Sequence, residues 1–312
     1  MENLILSANV VLPLFLLMLT GFCLRRFGVL EENTFKQMNK AVFKAFLPCL
    51  IYYNVYTSEV SEMFDKKLVL FSVVSILAMF GLLMLIVPLI EKDNKKRGVM
   101  IQGIFRSNFV IFGIPLSAAM YGDSIVGSAA VLIAVVVPVF NFLAVISLEI
   151  FRKGKPDPVK ILKGIVTNPL IISSVLGLGT MFLGIKLPGI IEKSISDLSK
   201  IATPLALVIL GGSINFSKVR GNSRNLIICV LSRLVLVPAV FLTLASLAGF
   251  RNAELAILIS VFASPTAVSS FTMAQQMNGD DELAGQIVVF GTSLCIITVF
   301  LWIFLFKQLG IM

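Results

Sequence analysis

The sequence predicts an all-α membrane protein of ten transmembrane helices, arranged as two inverted repeats of five. The 312-residue chain is 57% hydrophobic and only 14% charged, so it has too little polar sequence to cover a water-soluble globule. Apolar runs of about 20 residues recur along the chain. Ten-residue segments in which polar and apolar residues alternate are not seen, which favours helices over barrel strands. The third observation, an internal repeat, is described below.

Charged residues and Gly, Pro and Asn divide the chain into ten apolar segments. The first segment has no basic region before it and no small-residue cleavage site after it, so we expect a membrane span and not a signal peptide. The predicted spans are residues 5–24, 37–57, 68–90, 98–121, 125–151, 160–184, 189–213, 222–248, 253–277 and 282–306.

The distribution of basic residues predicts the orientation of these spans. The loops on one side hold 15 Lys and Arg residues, and those on the opposite side hold 7. Because the basic loops of a membrane protein stay in the cytoplasm, both termini are predicted to lie outside, in a multi-pass protein of the cell membrane. The net charge of +9 therefore indicates topology, and no nucleic acid partner is expected.

Identical residues recur at a nearly constant spacing. Pro13, Gly21, Gly28 and Pro48 have counterparts 156 positions later at Pro169, Gly177, Gly184 and Pro204. Phe105, Ser107, Met120, Gly122 and Asp123 have counterparts 157 positions later at Phe262, Ser264, Met277, Gly279 and Asp280. A repeat of five spans enters the membrane from opposite sides in its two copies. The repeats are predicted to be residues 1–151 and 152–312.

The fourth and ninth spans, which are counterparts in the repeat, are predicted to be broken. Gly113 and Pro115 lie near the middle of the fourth span, and Pro265 lies near the middle of the ninth. Proline frees a backbone carbonyl, which the membrane tolerates only against protein or a wet cavity. The same two spans also contain small polar residues: Ser107, Asn108, Ser264, Thr266, Ser269 and Ser270. We expect a midplane binding site here, although ordinary proline kinks with helix-packing serines remain the alternative.

Polar residues within the spans indicate the charge of the ligand. Asn141 lies in the middle of the fifth span, Arg106 is adjacent to Ser107, and Arg233 lies within the eighth span. No acidic residue is predicted at mid-membrane depth, so the balance of charge favours an anion, as do helix N-termini at the breaks. Arginines that snorkel to the interface are the competing explanation. Asn54 is a weaker candidate, because it could simply cap a helix.

The residue inventory disfavours catalysis and metal binding. Histidine is absent, and the four cysteines lie in apolar runs without CxxC spacing, so neither a zinc site nor a disulfide framework is expected. We predict no catalytic residues, no metal site and no cofactor. No buried carboxylate pair is present to bind protons or sodium, but backbone oxygens could still hold sodium. Coupling to sodium or protons is therefore open.

Three segments carry a family resemblance: NFVIFGIPL at 108–116, VPVFNFLAV at 137–145 and ASPTAVSSFTMAQQMNGD at 263–280. With them, the chain resembles the auxin efflux carrier family, specifically its bacterial malate and malonate permease-like branch, which is related to plant PIN-type auxin carriers. The resemblance implies a fold similar to that of bile-acid symporters, with the broken fourth and ninth helices crossing at the midplane. It also implies a homodimer, a scaffold domain of spans 1, 2, 6 and 7, and a transport domain of spans 3–5 and 8–10.

These observations predict a secondary transporter that moves a small organic anion, a malate-like dicarboxylate or other carboxylate, by elevator-like alternating access. A sodium-coupled carrier of a larger or aromatic carboxylate is the first alternative. A channel or sensor and a membrane-embedded hydrolase are the others. By this resemblance, Asn108 and Asn141 correspond to the asparagines of the fourth and fifth helices, and Pro115 and Pro265 to the prolines of the crossover. Ser264 and Thr266 stand where some relatives carry asparagine. The predicted substrate-binding residues are Arg106, Ser107, Asn108, Gly113, Pro115, Asn141, Ser264, Pro265, Thr266 and Ser269.

Overall fold

The computed structural model describes residues 2–58, 65–122, 124–152, 158–215 and 218–312, and this part of the chain is almost entirely helical. The helices in chain order are α1 (Glu2–Arg26), α2 (Glu32–Ala41), α3 (Leu47–Tyr56), α4 (Lys66–Ile90), α5 (Asn94–Phe105), α6 (Phe109–Tyr121), α7 (Ser124–Ile150), α8 (Pro158–Val166), α9 (Pro169–Phe182), α10 (Gly189–Ser213), α11 (Val219–Leu231), α12 (Val237–Leu247), α13 (Asn252–Ala263), α14 (Ser269–Gln276) and α15 (Asp281–Gln308).

Two pairs of these helices are joined without interruption by a π-helical turn. Val42–Phe46 connects α2 to α3, and Ser232–Leu236 connects α11 to α12. Within the described residues, five helical segments are long and apolar enough to cross a membrane, or six if α8 and α9, which are bent by 53°, form one span. The predicted all-α membrane class is confirmed.

The breaks in the helices only partly match the prediction. The ninth span breaks between α13 and α14, beside Pro265 as expected. The fourth span breaks at residues 106–108, and α6 continues through Gly113 and Pro115 to Tyr121. The prediction of a break at Gly113 and Pro115 was therefore wrong in position. A proline within a helix costs one hydrogen bond and often only kinks it, whereas residues 106–108 gain backbone partners from another segment.

The sixth span contains a break that the sequence analysis did not predict. Helix α8 ends at Val166, and the Asn168 side chain accepts a hydrogen bond from the Leu170 backbone N–H at 3.0 Å. Asn168 is thus an N-cap, and Pro169 at the first helical position has no N–H to leave unpaired. An Asn-Pro pair of this kind begins a new helix, which explains the bend.

Polar contacts connect the loops with one another at two opposite ends of the helical body. Loops that the count of basic residues assigns to the same side contact one another. At the predicted cytoplasmic end the pairs are Arg25 with Gly212, Lys96 with Asn222, Asp280 with Lys95, and Lys218 with Glu282. At the other end they are Lys67 with Ala248, Tyr56 with Leu187, and Asn252 with Ile311.

The broken helices occupy the centre of the protein. Residues 98–105 of α5 and 255–263 of α13 are all buried. Aromatic rings pack around their inner ends: Phe105 lies 5.4 Å from Phe80 and 6.0 Å from Phe140, and Phe262 stacks on Phe241 at 5.2 Å, measured between ring centroids. Such pairs stabilise a core beyond simple burial. The two breaks are therefore held in a rigid, protein-lined environment.

Candidate binding site at the helix crossing

The two linkers between the helix halves cross and pair through their backbones. Ser107 and Thr266 form an antiparallel bridge, and the Asn108 N–H donates to the Pro265 carbonyl at 2.9 Å. In a membrane, each backbone group released from a helix needs a partner inside the protein. Each linker thus provides partners for the other, which requires the two breaks to lie at the same depth.

The C-terminal ends of α5 and α13 also have their carbonyls occupied. The Thr266 hydroxyl donates to the Gly103 carbonyl at 2.6 Å. The buried Arg233 guanidinium donates to carbonyls at the ends of both helices. Arg233 is only 1% exposed, so the alternative that it snorkels to the interface is wrong. Its side chain is part of the crossing.

Replacing the Thr266 hydroxyl is expected to destabilise the crossing. Thr266→Val keeps the side-chain shape but removes the donor to Gly103, and a buried carbonyl without a partner costs about 1–3 kcal/mol. The melting temperature of the purified protein in detergent should fall by several degrees. The control is Thr298→Val, since Thr298 is only half-buried and its hydroxyl bonds only to carbonyls of its own helix. Equal melting temperatures for the two variants would contradict a supporting role for Thr266.

A cavity of about 140 Å³ opens beside the crossing, at the N-terminal ends of α6 and α14. Five of the ten predicted binding residues line it: Arg106, Ser107, Asn108, Asn141 and Ser269. Most of the remaining wall is aliphatic, with Phe140 as its aromatic member. Neither adjacent helix N-terminus carries a side-chain cap. The partial positive charge of both helix ends therefore acts on the cavity.

Arg106 supplies a full positive charge to this cavity. Its side chain is 5% exposed, donates to Asn141 Oδ1 at 2.5 Å and contacts Met273 Sδ at 2.6 Å. Within the described residues, no carboxylate lies at ion-pair distance from Arg106. A buried charge is costly unless it is paired. The guanidinium, which has five N–H donors, can therefore bind an anion that enters the cavity.

Two more polar groups in the cavity wall have no hydrogen-bond partner within the described structure. They are the Ser107 hydroxyl and the Asn108 side-chain amide nitrogen, on residues that are 6% and 7% exposed. Buried polar groups in proteins are normally hydrogen-bonded. Arg106, Ser107 and Asn108 are consecutive in the chain. They therefore place a guanidinium, a hydroxyl and an amide close together in the cavity wall.

The other predicted residues have different positions. Ser264, Pro265 and Thr266 take part in the crossing, through the backbone of the first two and the hydroxyl of the third, and none of the three lines the cavity. Pro115 lies in α6 on an exposed surface, outside the cavity wall. The surroundings of Gly113 fall outside the described part of the structure.

Sequence reasoning missed the wall contributed by α3 and α10. Leu47 and Thr203 line the cavity, as does Asn54, which was only a weaker candidate. Leu47 precedes Pro48 and Thr203 precedes Pro204, and these two prolines are 156 positions apart in the repeat. The repeat thus contained a signal: the residues before this proline pair face the cavity from both halves.

Comparison with known proteins identifies relatives along nearly the whole chain. Residues 7–303 match the family described as membrane transport protein. An uncharacterized transporter of Methanocaldococcus jannaschii is 25% identical over 301 residues, covering 94% of this chain and 97% of the relative. A Rhizobium meliloti protein named as a candidate malonate transporter is 25% identical over 304 residues and 93% of each chain. The similarity therefore extends over nearly the whole of this chain and of each relative.

Proposed function

The chain belongs to the membrane transport protein family, which is the auxin efflux carrier family that its motifs resemble, and we propose that it carries a small dicarboxylate across the membrane. The observation that carries this proposal is the buried Arg106 guanidinium, which faces the cavity without a carboxylate partner in the described structure. An anionic substrate would supply the missing charge. The proposed action is secondary transport by alternating access.

The charges around the cavity favour a substrate with two negative charges. Each helix N-terminus acts as about half a positive charge, and the uncapped ends of α6 and α14 both border the cavity. Added to the Arg106 guanidinium, they amount to about two positive charges. A dicarboxylate neutralises this total, with one carboxylate on Arg106 and donors from Ser107 and Asn108 available beside it.

The size of the cavity favours a short substrate. Sites for drug-sized ligands usually measure about 300–1,000 Å³, and an engineered cavity of about 150 Å³ in another protein binds benzene. The cavity here, at about 140 Å³, suits an acid of three or four carbons. This argues against the alternative of a carboxylate much larger than benzene, such as an indole or bile acid. The name of the Rhizobium meliloti relative, a candidate malonate transporter, supports the same class.

The proposed mechanism requires two groups of helices that move relative to each other. The cavity wall combines residues of α3, α9 and α10 with residues of α6, α7, α14 and the two linkers of the crossing. These sets fall in the expected scaffold and transport domains, so the substrate would lie between them, as elevator-like transport requires. We propose ten spans in two inverted repeats, both termini outside the cell and a homodimer joined through the scaffold. The contacts between same-side loops support the alternation of loops between two ends, whereas the outside position of the termini rests on the count of basic residues.

No enzymatic activity is proposed, since the cavity wall offers no nucleophile-base pair. A channel or sensor would share the binding site but not the transport cycle. Saturable counterflow of labelled malonate in liposomes separates these possibilities, because only a carrier exchanges substrate across the membrane at a saturating rate.

Ligand-dependent stability tests the proposed substrate class. A ligand that binds the folded state raises the melting temperature by mass action, so malonate, succinate and malate should stabilise the purified protein at millimolar concentrations. The matched neutral diamides should have no effect, and indole-3-acetate and bile acids should stabilise it less than malonate. Stabilisation by the large acids alone would contradict the proposal. So would a folded protein that responds to no dicarboxylate.

A further inference from the structure

Arg233 makes an unusual set of contacts in the centre of the protein. It lies in the π-helical turn between α11 and α12. Its Nε donates to the Ser264 carbonyl at 2.8 Å and its Nη2 to the Val261 carbonyl at 2.8 Å. Its Nη1 lies 3.3 Å from the Ile104 carbonyl oxygen and 3.4 Å from that of Phe105. One side chain thus binds four backbone oxygens from two broken helices.

The charges of these groups balance without any acidic side chain. A helix C-terminus acts as about half a negative charge, so the facing ends of α5 and α13 together amount to about one. The guanidinium contributes one positive charge and remains protonated in proteins. Within the described residues, Arg233 has no carboxylate at ion-pair distance. The carbonyl oxygens therefore act as its counter-charge.

The same kind of group holds coupling ions in other carriers. In transporters built from inverted repeats, unwound backbone carbonyls and the C-terminal ends of half-helices coordinate Na⁺. We propose that Arg233 is a built-in cation that occupies such a carbonyl site permanently, so that the crossing of this protein is assembled without Na⁺. The part of this inference that concerns coupling rests on the proposed transport function. The part that concerns the carbonyl site does not.

Two properties of the side chain suit this role. The planar guanidinium directs several N–H groups at fixed angles, so it can bind oxygens from two helices at once and keep the two ends at a constant separation. The π turn carries one extra residue per turn, a feature often found at functional sites. Here it lies at Arg233, which reaches the crossing from a neighbouring helix and not from either broken one.

The test compares the cation response of the wild-type protein with that of Arg233→Met, with no substrate present. The methionine side chain is unbranched and neutral, so the variant leaves the four carbonyls without their cation. We expect it to melt at a lower temperature than wild type in choline chloride and to recover saturably with Na⁺ at equal ionic strength. Wild type should respond equally to NaCl and choline chloride. Arg152→Met, at an arginine outside the crossing, is the control and, like wild type, should respond equally to NaCl and choline chloride.

Other results would overturn the inference. A folded Arg233→Met variant with no Na⁺-specific recovery would show that the carbonyls do not form a cation site. A Na⁺-specific stabilisation of wild type, or malonate binding to wild type that requires Na⁺, would show that Arg233 does not replace the ion. If Arg233→Met does not fold, Arg233→Lys decides: it keeps a cation at the site and should fold without Na⁺ dependence, whereas a Na⁺ requirement would contradict the proposal. If no dicarboxylate binds but Arg233→Met recovers with Na⁺, the proposed substrate is wrong and the cation role stands.

Discussion

Arg106→Gln is expected to remove most of the affinity for dicarboxylates while leaving the protein folded. Arg106 is the one full charge in the described cavity wall, and removing one partner of a buried charge pair costs about 2–5 kcal/mol. This corresponds to a Kd about 30-fold to 4,000-fold higher. Glutamine can still donate to Asn141 Oδ1, so the melting temperature without ligand should change little. Calorimetric titration with malonate measures the effect.

The control for this prediction must separate charge from structure. Arg152→Gln removes an arginine that is about half exposed and paired with Glu149, and it should bind malonate like wild type. A monocarboxylate of the same length should also lose affinity in Arg106→Gln, because its one carboxylate would bind the same guanidinium. If neither the monocarboxylate nor malonate loses affinity, Arg106 does not bind the substrate carboxylate.

The helical fold could be predicted from the sequence, as could the break of the ninth span beside Pro265, but the position of the break in the fourth span could not. Asn141 was identified because an amide within an apolar span must find a partner, and Asn108 because it is a small polar residue of the broken fourth span. The break at residues 106–108 could not be located, because it depends on Pro265 and Thr266, which pair with it from nearly 160 residues along the chain. Pro115 is conspicuous in sequence but lies within a helix.

The roles of Arg233 and Thr203 depend on the direction in which their side chains point, which a sequence does not specify. Arg233 could have snorkelled to the interface or turned inward, and only the packing of α12 and α13 around it decides between these possibilities. Thr203 is an ordinary residue of its helix, and it joins the cavity because α10 packs beside α3. A charged residue within a membrane span thus indicates a structural or functional role. The groups that its side chain contacts are known only from the folded structure.

The two positive charges at the crossing have separate uses. Arg233 binds the C-terminal ends of α5 and α13, so its charge is already neutralised by the protein. Arg106 lies beside the N-terminal ends of α6 and α14, where the helix ends add to its charge. The sequence predicted a binding role for Arg106 alone, and it left snorkelling open as the alternative for both arginines. Their opposite helix-end environments explain why one holds the structure and the other remains available to a ligand.

Gly211→Val is expected to have the largest effect on folding. Helices α1 and α10 pack so closely that a Cβ atom at Gly211 would lie 1.8 Å from the Met18 carbonyl oxygen, and one at Gly21 would lie 1.8 Å from that of Val208. Membrane helices pack through such small residues because their backbones can then approach. Valine would force the helices apart, at a cost of about 3 kcal/mol or more. Size-exclusion profiles and melting temperatures of purified protein measure the loss.

The matched control is Gly81→Val in α4, where a Cβ atom would meet nothing within 4 Å. This variant should fold like wild type, because valine there extends into open space on an apolar helix. Gly177→Val provides an intermediate case, since its Cβ would lie 3.1 Å from the Val55 Cβ and 3.2 Å from the Tyr52 carbonyl oxygen. Gly177 is the repeat counterpart of Gly21 and packs α9 on α3 as Gly21 packs α1 on α10. Destabilisation in the order Gly211, Gly177 and Gly81 would support equivalent helix pairs in the two halves, and equal melting temperatures for all three variants would refute the close packing of α1 on α10.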